Sequence, residues 1–162
     1  MGIAGDACIE GSGAVLDGSR DAFDRVVDKS DLIVEAQVHS VKLTRDLRIV
    51  TLSEVQLSAS RVIKGPGTLQ QFMITNVSAL ESFTMAPGQR FILFLREPHR
   101  TNAQSKPPQV PYFDILKWPT LCIDEETVHV AREGKAYIPW LDGISTEKAV
   151  ENIRSYLQRQ AK

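Results

Sequence analysis

SDLIVEAQVHSVKL, residues 30–43, and VTLSEVQLSASRVIKGPG, residues 50–67, are two strand-like stretches set back to back, and their reading decides the fold. In the first, Leu32, Val34, Ala36 and Val38 alternate with Ile33, Glu35, Gln37 and His39. That period of two gives a strand one apolar core face and one wetter face. The second begins with Val50 and Leu52 on one parity and continues with Val55, Leu57, Ala59 and Ile63 on the other. A parity change inside a continuous strand predicts a β-bulge near Ser53 and Glu54. Long strands broken by bulges suit a small closed barrel, where closure needs tilt and local twist. Gly65-Pro66-Gly67 then ends the pairing, because proline lacks a donor and glycine tolerates positive φ.

Upstream of this pair, Ser19 is placed to cap a short helix over residues 20–29, with Phe23, Val26 and Val27 on one face. That helix is expected to plug or brace one end of the barrel. Downstream, residues 69–77 form a third strand, residues 78–86 a connection, and Pro87-Gly88 a turn. Residues 90–96 are apolar on both parities and so are expected to be buried on both faces, at the centre of the core. Residues 97–111 hold four prolines among polar side chains and predict a mobile loop. Strands follow at 112–118 and 127–131, the latter after Leu121-Cys122-Ile123 and an acidic turn at Asp124, Glu125 and Glu126. The chain closes with a helix over 145–159, capped by Ser145. Its packing stripe is Ala149, Val150, Ile153, Tyr156 and Leu157, while Glu151, Arg154 and Arg159 face away. The expected organisation is a flexible arm at 1–18 and a single domain at 19–162.

A chain of 162 residues, 43% of them hydrophobic, is long enough for one domain. Such a domain buries roughly 70% of its unfolded surface. The net charge is −1 and the basic residues are scattered, which argues against a strong binder of phosphate backbones. No apolar stretch approaches the roughly 20 residues that span a bilayer. Residues 1–6 show neither a basic n-region nor an apolar h-region. The two cysteines, Cys8 and Cys122, fit no metal-ligand spacing, and are either a disulfide that ties the arm to the barrel or two unrelated thiols.

Candidate chemistry is sparse. His39, His99 and His129 stand in no metal-binding spacing, although ligands can converge from separate strands. The acidic run at 124–126 is a solvated turn before it is a carboxylate pair for acid–base work. Neither a nucleophile elbow nor a cysteine–histidine signature is present, and Gly11-Ser12-Gly13 lacks the strand and the Gly-Lys-Ser/Thr of a phosphate loop. No cofactor or metal is expected. The remaining surface candidate is an aromatic and basic group: Lys106, Tyr112 and Trp118, with Phe113, Lys117 and Trp140 nearby in the reading. Such side chains stack bases in single-strand binders, fill barrel cores, or anchor protein contacts.

A short helix is followed by Ser-Asp-Leu-Ile-Val-Glu-Ala-Gln-Val (30–38), by Val-Ile-Lys-Gly-Pro (62–66) and by Gly-Gln-Arg-Phe-Ile-Leu-Phe-Leu (88–95). This order resembles the netrin-like domain of the tissue inhibitors of metalloproteinases, and resembles more closely a set of uncharacterised bacterial secreted proteins with the same pattern and a C-terminal helix. The resemblance covers residues 21–158. It implies a mainly β fold, an OB-like five-stranded closed barrel with a short N-terminal helix and a C-terminal helix. It also implies export, with any signal segment already removed, and an N-terminal arm pinned by Cys8 and Cys122. The inhibitors chelate zinc through an N-terminal cysteine in a Cys-x-Cys context. Cys8 is neither first nor in such a context, so that mechanism is not implied here.

The function expected is a non-enzymatic exported module that binds a protein or cell-surface component through residues 97–111 and the neighbouring barrel ends. The alternatives are a hydrolase or metal-dependent enzyme assembled across strands and an OB-type single-strand nucleic-acid binder.

Overall fold

The computed structural model describes residues 19–46, 50–79, 85–97, 110–115, 120–130 and 138–160. Their order is α1 (Ser19–Lys29), β1 (Leu32–Asp46), β2 (Val50–Lys64), β3 (Gln71–Ala79), β4 (Arg90–Arg96), β5 (Tyr112–Ile115), β6 (Leu121–Asp124), β7 (Thr127–Val130) and α2 (Thr146–Gln160). A short 3-10 helix at Pro139–Leu141 precedes α2. The arm at 1–18 and the greater part of the proline-rich loop lie outside the described residues.

Five strands close into a barrel in the order β1-β2-β3-β5-β4, with β4 returning to β1 through pairs from Leu32↔Leu95 to Gln37↔Arg90. All neighbours are antiparallel except β3 and β5, which run parallel at Met73↔Tyr112 and Ile74↔Phe113. The second edge of β4 is divided. Leu95 and Arg96 pair with β5, while Arg90, Phe91 and Ile92 pair with β6. The β6–β7 hairpin therefore leaves the barrel as two outer strands. The expected mainly β fold with a closed five-stranded barrel and two flanking helices is what the structure has.

β2 itself carries no bulge where parity placed one, although one ladder step, over Thr44 of β1, lies opposite Leu52 and Ser53. Pairing between β2 and β3 is regular from Val50 to Ser58, so nothing is inserted at Ser53 or Glu54. The β1–β2 ladder instead steps over Ile63 and Ser60 on β2 and over His39 and Thr44 on β1. The physical reason is that Leu52 lies past the closed part of the barrel, where no core fixes which face is apolar. An extra residue in one strand bends it and increases its twist, so four steps in one ladder give these long strands the coil that closure demands.

The barrel wall is apolar on both faces and serves two cores. Inward, Val34, Ala36, Leu57, Phe72, Ile74, Phe91, Leu93 and Leu95 are buried together. Outward, Ile33, Ile92 and Phe94 meet Phe23 and Val27 of α1, the β6–β7 hairpin, and Ala149, Val150, Ile153 and Tyr156 of α2. This is why β4 reads as a continuous apolar run: alternate residues supply different cores. It also corrects the expected place of α1, which packs against the outside of the wall and does not plug a barrel end. Phe23 makes edge-on contacts with Phe94 at 5.9 Å and Trp140 at 6.1 Å between ring centres. Such pairs add about 0.5–1.5 kcal/mol to the burial of their area.

Local chemistry fixes the helix ends. The Ser30 hydroxyl donates to the Val26 carbonyl at 2.6 Å, and the Lys64 ammonium donates to the carbonyls of Val27 and Asp28 at 3.0 and 3.3 Å. A cation at these last carbonyls satisfies acceptors that the helix leaves open and opposes its negative end. Gly65 follows with φ +113°. A β-carbon there would stand 3.0 Å from Leu32 Cδ1 and 3.1 Å from the Asp31 carbonyl oxygen, so the turn requires glycine. At α2, the Ser145 hydroxyl accepts from the Lys148 amide at 3.2 Å, the contact of an N-cap. The Tyr156 hydroxyl lies 3.2 Å from the Asp24 carbonyl oxygen and 3.3 Å from Asp28 Oδ2, joining α2 to α1.

Candidate functional site

Charge is gathered on the outside of the barrel, around one carboxylate. Glu35 on β1 is 4% exposed and shares the outward parity of Ile33. Arg61 stands opposite it on β2, and Arg90 is diagonal to it on β4. Directly opposed and diagonal positions are those from which long side chains meet across a sheet. Arg61 donates to Glu35 Oε1 from Nη2 at 2.7 Å and from Nε at 3.1 Å, and Arg90 Nη2 donates to Oε2 at 3.0 Å. Each arginine also reaches outward. Arg61 grips both carboxylate oxygens of Glu147 on α2, at 3.0 and 2.9 Å, and Arg90 Nη1 lies 3.3 Å from Glu126 Oε1.

The result is an alternating chain of Glu147, Arg61, Glu35, Arg90 and Glu126. These hydrogen bonds, with Glu147 first for Arg61 and Glu35 first for Arg90, raise both guanidinium pKa values. The bond from Arg61 likewise lowers the pKa of Glu147. Both oxygens of the buried Glu35 carboxylate are engaged by arginine, so the arrangement ties β1 to β2 and β4 and, through Glu147 and Glu126, to α2 and the hairpin.

The hairpin tip that carries Glu126 is strained. Asp124 pairs with Thr127 around a two-residue turn in which Glu125 has φ +55° and Glu126 φ +90°. Two successive left-handed residues are the pattern of a type I′ hairpin, usually made by Asn-Gly, and side chains there cost of order 1 kcal/mol or more. The turn is held from the α2 side: the Thr146 amide donates to the Glu126 carbonyl at 2.9 Å, and Thr127 bridges to Ser145. Beside the tip, residues 88–91 and 122–125 line a cleft of about 180 Å³. Cys122 faces this cleft and the barrel core. It is disulfide-bonded, and its partner lies outside the described residues.

Of the residues singled out in the sequence, Lys106, Trp118, Lys117, His99 and Cys8 lie outside the described residues. Tyr112 is half-buried on β5. Burial first, then the negative charges of Glu54 and Asp114, push its hydroxyl pKa upward. Two more of that group are described. Phe113 packs edge-on against Phe72 in the barrel core at 6.0 Å, and Trp140 packs in the outer core. His129 Nδ1 approaches one carboxylate, Asp142, at 4.0 Å. Among the described residues no group of three or more His, Cys, Asp or Glu side chains is placed to hold a metal ion. No helix among them is long and apolar enough to cross a membrane.

Sequence reasoning missed Glu35, Arg61 and Arg90 as one cluster; the available signal was a lone acid inside Leu-Ile-Val-Glu-Ala. It also missed that β1, β2 and β3 outrun the closed barrel. Among the described residues β1 pairs with β2 alone over residues 40–46, and Leu43, 59% exposed, is the large apolar side chain most open to water among them. No protein-family model matches the chain, and no curated protein matches it.

Proposed function

We propose that the chain is a non-enzymatic, exported module that binds a protein or cell-surface component, and that its barrel is of the OB type. The observation that carries the reading is the extension of β1, β2 and β3 past the closed barrel, with Leu43 exposed on its outer strand β1. An exposed large apolar side chain on a projecting strand is costly in water and is accounted for by a surface that meets a partner. The clustered charges support the same side of the choice, because Glu35, Glu126 and Glu147 are each engaged by arginine. Export is supported by the bonded state of Cys122, since disulfides persist in oxidising compartments. The OB reading is supported by the order β1-β2-β3-β5-β4 with a parallel β3–β5 pair, and a fold of that kind hosts many functions. The netrin-like resemblance agrees with this barrel and helix order.

This extension and Glu97, the first residue of the 97–111 loop, lie at opposite ends of β1, whereas Pro111, at the loop's other end, accepts from the Met73 amide, level with Ser40. The Glu97 amide donates to Asp31 at the start of that strand, whereas Lys42 and Leu43 lie beyond its last pair with β4. Photo-crosslinking in the native compartment separates them, with a benzophenone amino acid placed at Lys42, at Glu97 or at Glu151 on the exposed face of α2. The expected result is a protein adduct from position 42 and none from 151. Adducts from 97 alone would move the site to the loop end, and none from either end would defeat the binding reading.

A further inference from the structure

β4 leaves β1 abruptly. After Gln37↔Arg90, one further exchange joins Val38 to Gly88 and Gln89: the Val38 amide donates to the Gln89 carbonyl and the Gly88 amide donates to the Val38 carbonyl, at 2.8 and 2.9 Å. Gly88, with φ +90°, then turns the chain away. Over residues 40–46 the side of β1 that faced β4 has no strand against it among the described residues. Edge strands are commonly blunted by proline, by charge, by β-bulges or by a covering element. Here residues 40–46 contain no proline, and the ladder step at Thr44 leaves residues 40–43 as the regular stretch, with Lys42 its one charge.

Val41 and Leu43 share a face, Val41 packed against the barrel core and Leu43 open to water. Lys42 projects from the opposite face. It stands across from Glu54 in the ladder, yet it makes no ion pair among the described residues.

We propose that this edge accepts an extended segment of another protein as an added strand, in line with β4, with apolar side chains on the Val41–Leu43 face and an acidic side chain beside Lys42. Main-chain hydrogen bonds supply affinity in such strand addition, and alternate side chains supply specificity. A second copy of this chain fits the edge less well. Antiparallel pairing of two such edges brings like-charged Lys42 side chains to the same ladder. The inference rests on the protein-binding reading and deepens it.

The test is an NMR titration of the intact protein with two capped nine-residue peptides, one alternating valine with glutamate and the other valine with lysine. The expected result is saturable shifts confined to residues 40–46 and 88–89, with the glutamate peptide bound at least fivefold more tightly. Lys42→Glu reverses that preference, and Leu43→Ser weakens both peptides by about tenfold, the equivalent of about 1.4 kcal/mol. Both positions are exposed, and unchanged melting temperatures confirm that the variants fold. Absence of saturable binding, or equal binding of both peptides in every variant, overturns the proposal. A concentration-dependent dimer in sedimentation that Leu43→Ser abolishes also overturns it, by placing a second copy on the edge. If position 42 crosslinks a protein in its native setting while both peptides fail, strand addition falls and the binding reading stands.

Discussion

Replacing Glu35 with glutamine keeps the size of the side chain and removes the charge on which Arg61 and Arg90 converge. Hydrogen bonds to charged groups are worth about 1.5–3 kcal/mol each when made inside a protein. Both arginines are about one-third exposed, so water recovers part of their loss. Glu35→Gln is therefore expected to lower stability by about 2 kcal/mol in urea unfolding, with a double-mutant cycle against Arg61→Met showing strong coupling. Tyr156 gives the residue scale its pH dependence. Its burial, followed by the charges of Asp24 and Asp28, pushes its pKa up to about 12 from an ordinary 10.0. The unfolded chain then releases the phenolic proton at lower pH than the folded one. Stability attached to this group is whole below pH 10 and declines as pH rises toward 12. Tyr156→Phe is expected to remove that alkaline slope and to cost about 1 kcal/mol at neutral pH through its lost hydrogen bond. A slope unchanged in the variant would assign it to other groups. At this scale the sequence was least legible. Glu35 reads as one more wetter-face residue because its partners stand 26 and 55 positions away, and only the strand register brings them together.

Among the elements, the β6–β7 hairpin couples an unfavourable turn to favourable ties. Glu125 and Glu126 both adopt positive φ, and among the described residues the Glu126 side chain is engaged by Arg90 whereas that of Glu125 has no bond. Asparagine tolerates the left-handed region better than glutamate. Glu125→Asn is therefore expected to raise stability by about 0.5–1 kcal/mol, whereas Glu126→Gly gains conformational ease and loses its contact with Arg90, leaving little net change. Chemical unfolding of both variants checks the pair, and destabilisation by Glu125→Asn would show that the turn is not the strained one described. The elements themselves were largely legible. The alternation in β1, the two-sided apolar run of β4 and the stripe of α2 each follow from a face buried against a core. The bulges were not legible, because the parity argument assumes that every residue of β2 lies beside the barrel core, and Leu52 does not. Nor did periodicity show that α1 covers the wall: an amphipathic helix packs equally well against a barrel end or an outer face.

For the whole molecule, the arrangement is one wall with two cores. The inner core holds the barrel closed, and the outer core, with its rim of alternating charges, fixes α1, α2 and the hairpin to it. Among the described side chains of residues 40–46 only Val41 packs against a core, so the stretch that leaves β4 behind is also the one with an exposed Leu43. That separation is the physical basis for reading a rigid scaffold that presents one strand to a partner. Amide hydrogen exchange along β1 in the isolated protein, followed residue by residue at two protein concentrations, tests this most directly. The expected result is slow exchange throughout residues 33–38, which have strands on both sides, and alternating slow and fast exchange over residues 40–46, where every amide facing away from β2 is open to water. Uniform protection through residue 46 would contradict the account, because the edge assigned to a partner would already be covered.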